Sequence, residues 1–166
     1  MIKKLTKEQA LPKIKLYCAY QERCHKEVKE KLYSLGLYKK DVEQLISQMI
    51  EENYLNEERF AIQYAGGKFR MNKWGRIKIK HALRQKQVSD YSIKKALKEI
   101  SETDYKKTLQ KLAEQKLKTL KAEKNIFSKK KKLQDYLVQK GYEGELVREV
   151  VNERKQRVYL PRQLIL

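Results

Sequence analysis

Apolar residues recur every three to four positions along almost the whole chain, which places them on one face of successive α-helices. The pattern predicts nine helical segments. Three first helices run from Lys7 to Tyr20, Asn56 to Met71 and Thr103 to Leu120. Each is followed by a second helix (Cys24 to Leu35, Lys73 to Lys86, Lys129 to Lys140) and a third (Lys39 to Asn53, Asp90 to Ile100, Glu143 to Arg154). Ser89 and Ser128 stand where N-caps are wanted, and Gly36 and Gly141 where a helix ends on a left-handed residue. Gln87, at the corresponding place in the middle segment, is a weaker stop. Six Gly and two Pro leave too few turn residues for an all-β chain, so the fold class expected is all-α.

Aligning Gly36, Gln87 and Gly141 brings the apolar positions into register without gaps. Eight residues before the marker stand Val28, Ile79 and Leu133, and four before stand Leu32, Leu83 and Leu137. One residue after it come Leu37, Val88 and Tyr142, and six after come Val42, Ile93 and Val147. Leu45, Ala96 and Val150 follow at nine, with Ile46, Leu97 and Val151 at ten. The markers lie 51 and 54 residues apart, the length of a three-helix unit. This predicts three tandem three-helix repeats, 1–55, 56–101 and 102–157, with a C-terminal tail, 158–166. A unit of this size buries little surface alone and leans on its neighbours, so an elongated, curved molecule is expected.

Charge sharpens the picture in the middle repeat. The chain carries 40 Lys+Arg against 21 Asp+Glu, a formal net charge of +19, and the surplus is densest from Asn56 to Ser101, with twelve cations against four acids. On the second helix of that repeat, Gly75, Ala82 and Leu83 fall near the Ile79 core direction, while Lys73, Arg76, Lys80 and Arg84 gather in one stripe. A lysine-rich face is ordinarily only a solvated one. Here Lys78, Lys80, Arg84 and Lys86 stand between Ile77 and Val88 with no Asp or Glu, so pairing along the helix does not neutralise them. Such a face asks for a polyanion or an acidic partner. The run Lys129 to Lys132 at a helix start is opposed by the helix dipole and hints at the same.

Other chemistry is sparse. Cys18 and Cys24 form no CxxC and have no clustered His, which predicts free thiols and no metal site. Nucleotide-binding, zinc-hydrolase and serine-hydrolase signatures are absent, and Glu57, Glu58, Asp90 and Glu99 read as helix-end and surface charges, so no catalytic residue and no cofactor is expected. His25 and His81 are expected on the surface. Trp74, the single tryptophan, reads as a buried staple at a helix entry, with stacking on a base or partner the alternative, and Gly66 and Gly67 as a kink, a close partner approach or a tolerated weak point in a helix. The start, MIKKLTKEQALPKIK, lacks a secretory h-region and no run is long enough to span a bilayer, which predicts a cytoplasmic protein. Without a heptad seam or long apolar face, a monomer is expected.

The middle segment carries a family resemblance. Leu55-Asn56-Glu57-Glu58-Arg59-Phe60-Ala61, then Lys68-Phe69-Arg70, then Trp74-Gly75-Arg76-Ile77-Lys78-Ile79 with Leu83, resembles the RecX family of bacterial recombination regulators over about Ala10 to Lys155. The resemblance implies three tandem three-helix repeats. It also implies binding to the RecA recombinase and to its filament on single-stranded DNA, with inhibition of strand exchange and filament growth, in DNA repair, recombination and the SOS response. The cations expected to meet RecA or DNA are Arg59, Lys68, Arg70, Lys73, Arg76, Lys78, Lys80, Arg84, Lys129 and Lys130. A general nucleic-acid-binding module is the alternative. The tail VYLPRQLIL departs from the pattern: it is apolar yet carries Pro161.

Overall fold

The computed structural model describes residues 3–159, with side chains through 153, and every regular element among them is an α-helix. In order these are α1 (Lys7–Tyr20), α2 (His25–Ser34), α3 (Lys39–Glu51), α4 (Glu57–Asn72), α5 (Arg76–Gln85), α6 (Asp90–Lys98), α7 (Glu102–Thr119), α8 (Ile126–Gln139) and α9 (Gly144–Tyr159). They follow the threefold pattern of the sequence.

The three markers are where the repetition is built into the backbone. Gly36, Gln87 and Gly141 all have positive φ (87°, 60° and 99°) and end α2, α5 and α8 in the same way. Each marker N–H reaches the carbonyl three residues back, on Tyr33, Arg84 and Val138. The next N–H reaches five back, from Leu37 to Leu32, Val88 to Leu83 and Tyr142 to Leu137. This paired closure satisfies the last carbonyls of a helix and presses the residue after the turn onto the helix it has just left. Those six side chains are all buried, as are the aligned positions in the third helices except Ile46 and Leu97, which are half-buried.

Two expected helix starts move. Lys73 has φ 59° and closes α4, so α5 begins at Arg76 and Lys73 does not share its stripe. Asn125, not Ser128, caps α8, its Oδ1 accepting from the N–H groups of Phe127 and Ser128 at 3.0 and 3.2 Å. Lys129 to Lys132 therefore begin at the end of the first turn, where the dipole opposes them less. Helix α9 continues through Val158 and Tyr159, positions expected in the tail, whose remainder lies outside the described residues.

The chain divides into two compact units, with the divisions inside α4 after Gly67 and inside α5 after Ile79. One unit holds residues 1–67 and 80–99. A core there joins Ala10, Ile14 and Cys18 of α1 to Val28, Leu32, Val42, Leu45 and Met49. Here Glu57 accepts from the Ser89 N–H and from the Ser89 and Ser92 hydroxyls, tying the start of α4 to that of α6. Burial works to raise the Glu57 pKa, but these hydrogen bonds outweigh it and hold the carboxyl below its ordinary value. Cys18 and Cys24 are free and buried. Burial pushes the Cys18 thiol up to about 11 and raises that of Cys24, so neither is a reactive thiolate.

The second unit holds residues 68–79 and the described residues from 100 to 159. Its core includes a run of rings: Phe69 to Tyr105 at 5.8 Å between centroids, and Tyr105 to Tyr142 at 5.0 Å. Lys68 to Ile79, which carry much of the family-like motif, belong to this unit.

Candidate nucleic-acid interface

Within the second unit, the link from α4 to α5 is held by backbone. Gly75 N–H donates to the Lys140 carbonyl at 2.8 Å and Ile77 N–H to the Gly141 carbonyl at 3.0 Å. The Arg76 N–H between them donates to the Tyr105 hydroxyl at 3.0 Å. The first N–H groups of α5 thus meet the negative end of α8, and the helix terminus is filled by protein rather than open to an anion. A Cβ on Gly75 would stand 2.3 Å from the Gly141 carbonyl group, so glycine is required for this approach. The small inward residue expected from the sequence serves packing.

Arg76 is part of the same construction. Its guanidinium lies 3.9 Å from the Tyr105 ring centroid, pairs with Glu143 at 3.3 Å and also bonds Glu102. Tyr105 in turn donates to Glu143 Oε1 at 2.7 Å, and burial drives its phenol pKa upward. Acids distant in sequence therefore neutralise a cation that its own helix leaves unpaired. The same happens in the first unit, where Arg84 pairs with Asp90 at 3.1 Å and Lys86 with Glu27 at 2.8 Å. Arg59 there bonds Glu22 and the side chain and carbonyl of Asn53, closing the end of α3. Arg76 and Arg84 thus lack compensating acids along their own helix but not in the fold.

The exposed cations of the second unit form a different group. Arg70 and Lys73 line an open groove of about 460 Å³ with Lys107 and Lys111, which stand one turn apart on α7. Asp104 and Glu114 are also in its wall, leaving four cations against two acids. Lys73 Nζ caps the Arg70 carbonyl at 2.7 Å, and the Tyr142 hydroxyl donates to the Lys73 carbonyl at 2.9 Å, which fixes the αL turn beside the groove. Nearby, Trp74 is half-buried, with the ammonium groups of Lys68 and Lys78 over its ring at 4.9 and 4.7 Å. It is a platform for two lysines rather than a fully buried staple.

The expected site residues are thus distributed. Lys68, Arg70, Lys73, Arg76 and Lys78 belong to the second unit, as do Lys129 and Lys130, which are half-buried on α8. Arg59, exposed Lys80 and Arg84 belong to the first. Lys107 and Lys111 lie outside the sequence expectation because they stand on the first helix of the third repeat, α7, whereas the expected cations lie in the middle repeat and at the start of α8. Their spacing of four, which puts two cations on one face, is the signal that marks them in the sequence.

Nine helices among the described residues, in repeating triplets, with one unit carrying a cationic groove, define an all-helical repeat protein. Residues 56–97 match the family description "RecX, second three-helix domain" and residues 102–151 "RecX, third three-helix domain". The chain belongs to the RecX family. It is 33% identical over 132 residues to the regulatory protein RecX of Clostridium tetani and 32% identical over 139 residues to that of Clostridium perfringens. These alignments cover 79% and 83% of this chain but only 60% and 65% of the relatives' length. The crystal structure of RecX from Lactobacillus salivarius shares the fold, with a TM-score of 0.81 over 90% of this chain and 97% of that one at 23% identity. No helix among the described residues is long and apolar enough to cross a membrane.

Proposed function

We propose that this chain regulates the RecA recombinase, binding RecA and RecA filaments on single-stranded DNA and inhibiting strand exchange and filament growth. The observation that carries the reading is the placement of Arg70, Lys73, Lys107 and Lys111 around one groove in a member of the RecX family. A groove with surplus fixed cations attracts a phosphodiester backbone or an acidic protein surface and releases counterions on contact. Inhibition then needs no turnover and no cofactor. Occupying the DNA-pairing surface of a filament blocks exchange, and occupying its end hinders addition of the next subunit. The protein acts in this reading as a cytoplasmic monomer.

Titration into RecA ATPase and strand-exchange assays, at substoichiometric and equimolar ratios, tests the proposal. Inhibition is expected, and its absence at both ratios contradicts it. A general nucleic-acid-binding module would bind single-stranded DNA with a steep salt dependence and ignore RecA. Retention of RecA without DNA, surviving high salt, separates the two.

A further inference from the structure

Helix α1 is apolar on two sides. Ala10, Ile14 and Cys18 face the core of the first unit, and Leu16, Tyr17 and Tyr20, at spacings of one and three, make a second stripe with Lys13 one turn before it. Leu16 is 72% exposed and Tyr20 83% exposed. A solvent-facing side of a helix is ordinarily polar, so this stripe calls for a partner. It forms one wall of an open groove of about 670 Å³, completed by Leu35 and by Arg23 and Lys31. The groove surface is predominantly apolar, and among the described residues no carboxylate lines it.

Its cations are held by a ring instead. The Arg23 guanidinium lies 3.8 Å from the Tyr17 ring centroid and donates from Nε to the Tyr17 carbonyl at 3.2 Å, while Lys31 Nζ lies over the same ring at 5.6 Å. Cation–π contact positions these charges without cancelling them, as a carboxylate would. Apolar anchors over about one turn of α1, roughly 6 Å, with Leu35 beside them and Lys13, Arg23 and Lys31 at the margin, match one kind of occupant.

We infer that this groove binds a short amphipathic helix of a protein partner, with two or three apolar residues at helical spacing and acidic flanks. The apolar stripe supplies the binding surface and the three cations select against basic or neutral helices. This site is separate from the cationic groove of the other unit, and its failure would leave the proposed function standing.

The probe is a fluorescein-labelled 15-residue peptide of Leu, Ala and Glu with leucines at i, i+3 and i+7, measured by anisotropy against the full chain. A peptide with Lys for Glu and a scrambled acidic peptide serve as controls. The acidic amphipathic peptide should bind, and the controls should not. Leu16→Ser with Tyr20→Ser, both at exposed positions, should weaken binding by about tenfold or more. Lys13→Glu with Lys31→Glu should reverse the preference toward the Lys peptide. Circular dichroism and the thermal midpoint, unchanged in both variants, would show that folding is intact. No binding, equal binding of the scrambled peptide, or indifference to Leu16→Ser and Tyr20→Ser overturns the inference. So does displacement by single-stranded DNA or anionic vesicles, or a Leu16-dependent self-association in light scattering that excludes the peptide.

Discussion

At single positions, backbone conformation and local space decide what a substitution does. Gln87 holds a left-handed turn that Gly36 and Gly141 hold without side-chain strain, at a cost of about 1 kcal/mol. Gln87→Gly should therefore raise the thermal midpoint. Gly67 should behave likewise for another reason: it sits within a helix and a Cβ there would meet nothing within 4 Å, so Gly67→Ala should gain about 0.5–1 kcal/mol. Gly75→Ala and Gly141→Ala should lose about 3 kcal/mol, because the new methyl meets backbone or Lys78 at 2.3 Å. Calorimetry on the four variants checks the set, and equal shifts for Gly67 and Gly75 would contradict it. Glu57 adds a pH signature. Its folded pKa is depressed, so the unfolded chain takes up the proton first as pH falls, and stability drops through and below the ordinary Glu range near about pH 4. Denaturant melts from pH 6 to 3 should show a shallower loss for Glu57→Gln.

At the scale of elements, the repeat was legible and the acids that pair with Arg76 and Arg84 were not. Helical periodicity and aligned apolar positions follow from local spacing, so Val28, Ile79 and Leu133 point to the same buried place before any contact is known. Even the left-handed turn at Gln87 is marked by its alignment with two glycines, although its composition argues otherwise. The role of Arg76 depends on Glu102 and Glu143, 26 and 67 residues away, and no helical wheel brings those together. The start of α5 slipped for a similar reason: its N-terminal N–H groups are satisfied by Lys140, Gly141 and Tyr105 from distant segments. Tyr105→Phe should cost about 1–3 kcal/mol, since it strands the Arg76 N–H and the Oε1 of Glu143, and Arg76→Ala should also destabilise. Urea denaturation measures both. Weaker binding by an Arg76 variant would then report folding as much as direct recognition.

For the whole molecule, family membership and helical repeats support the proposed regulator, and the groove of the second unit is the surface proposed for contact. The charges worth removing are those at the groove rather than in the packing: Arg70, Lys73, Lys107 and Lys111. The most direct measurement compares the wild type with Arg70→Gln, Lys73→Asn, Lys107→Gln and Lys111→Gln combined, with Asn chosen because it tolerates positive φ at position 73. Inhibition of RecA strand exchange is followed across a salt series, after circular dichroism has confirmed an unchanged fold. The combined variant should inhibit far more weakly, and its salt dependence should flatten by about 0.7 in slope for each phosphate that is no longer neutralised on a single strand. A folded variant that inhibits as well as the wild type, with the same salt dependence, would contradict the proposed function.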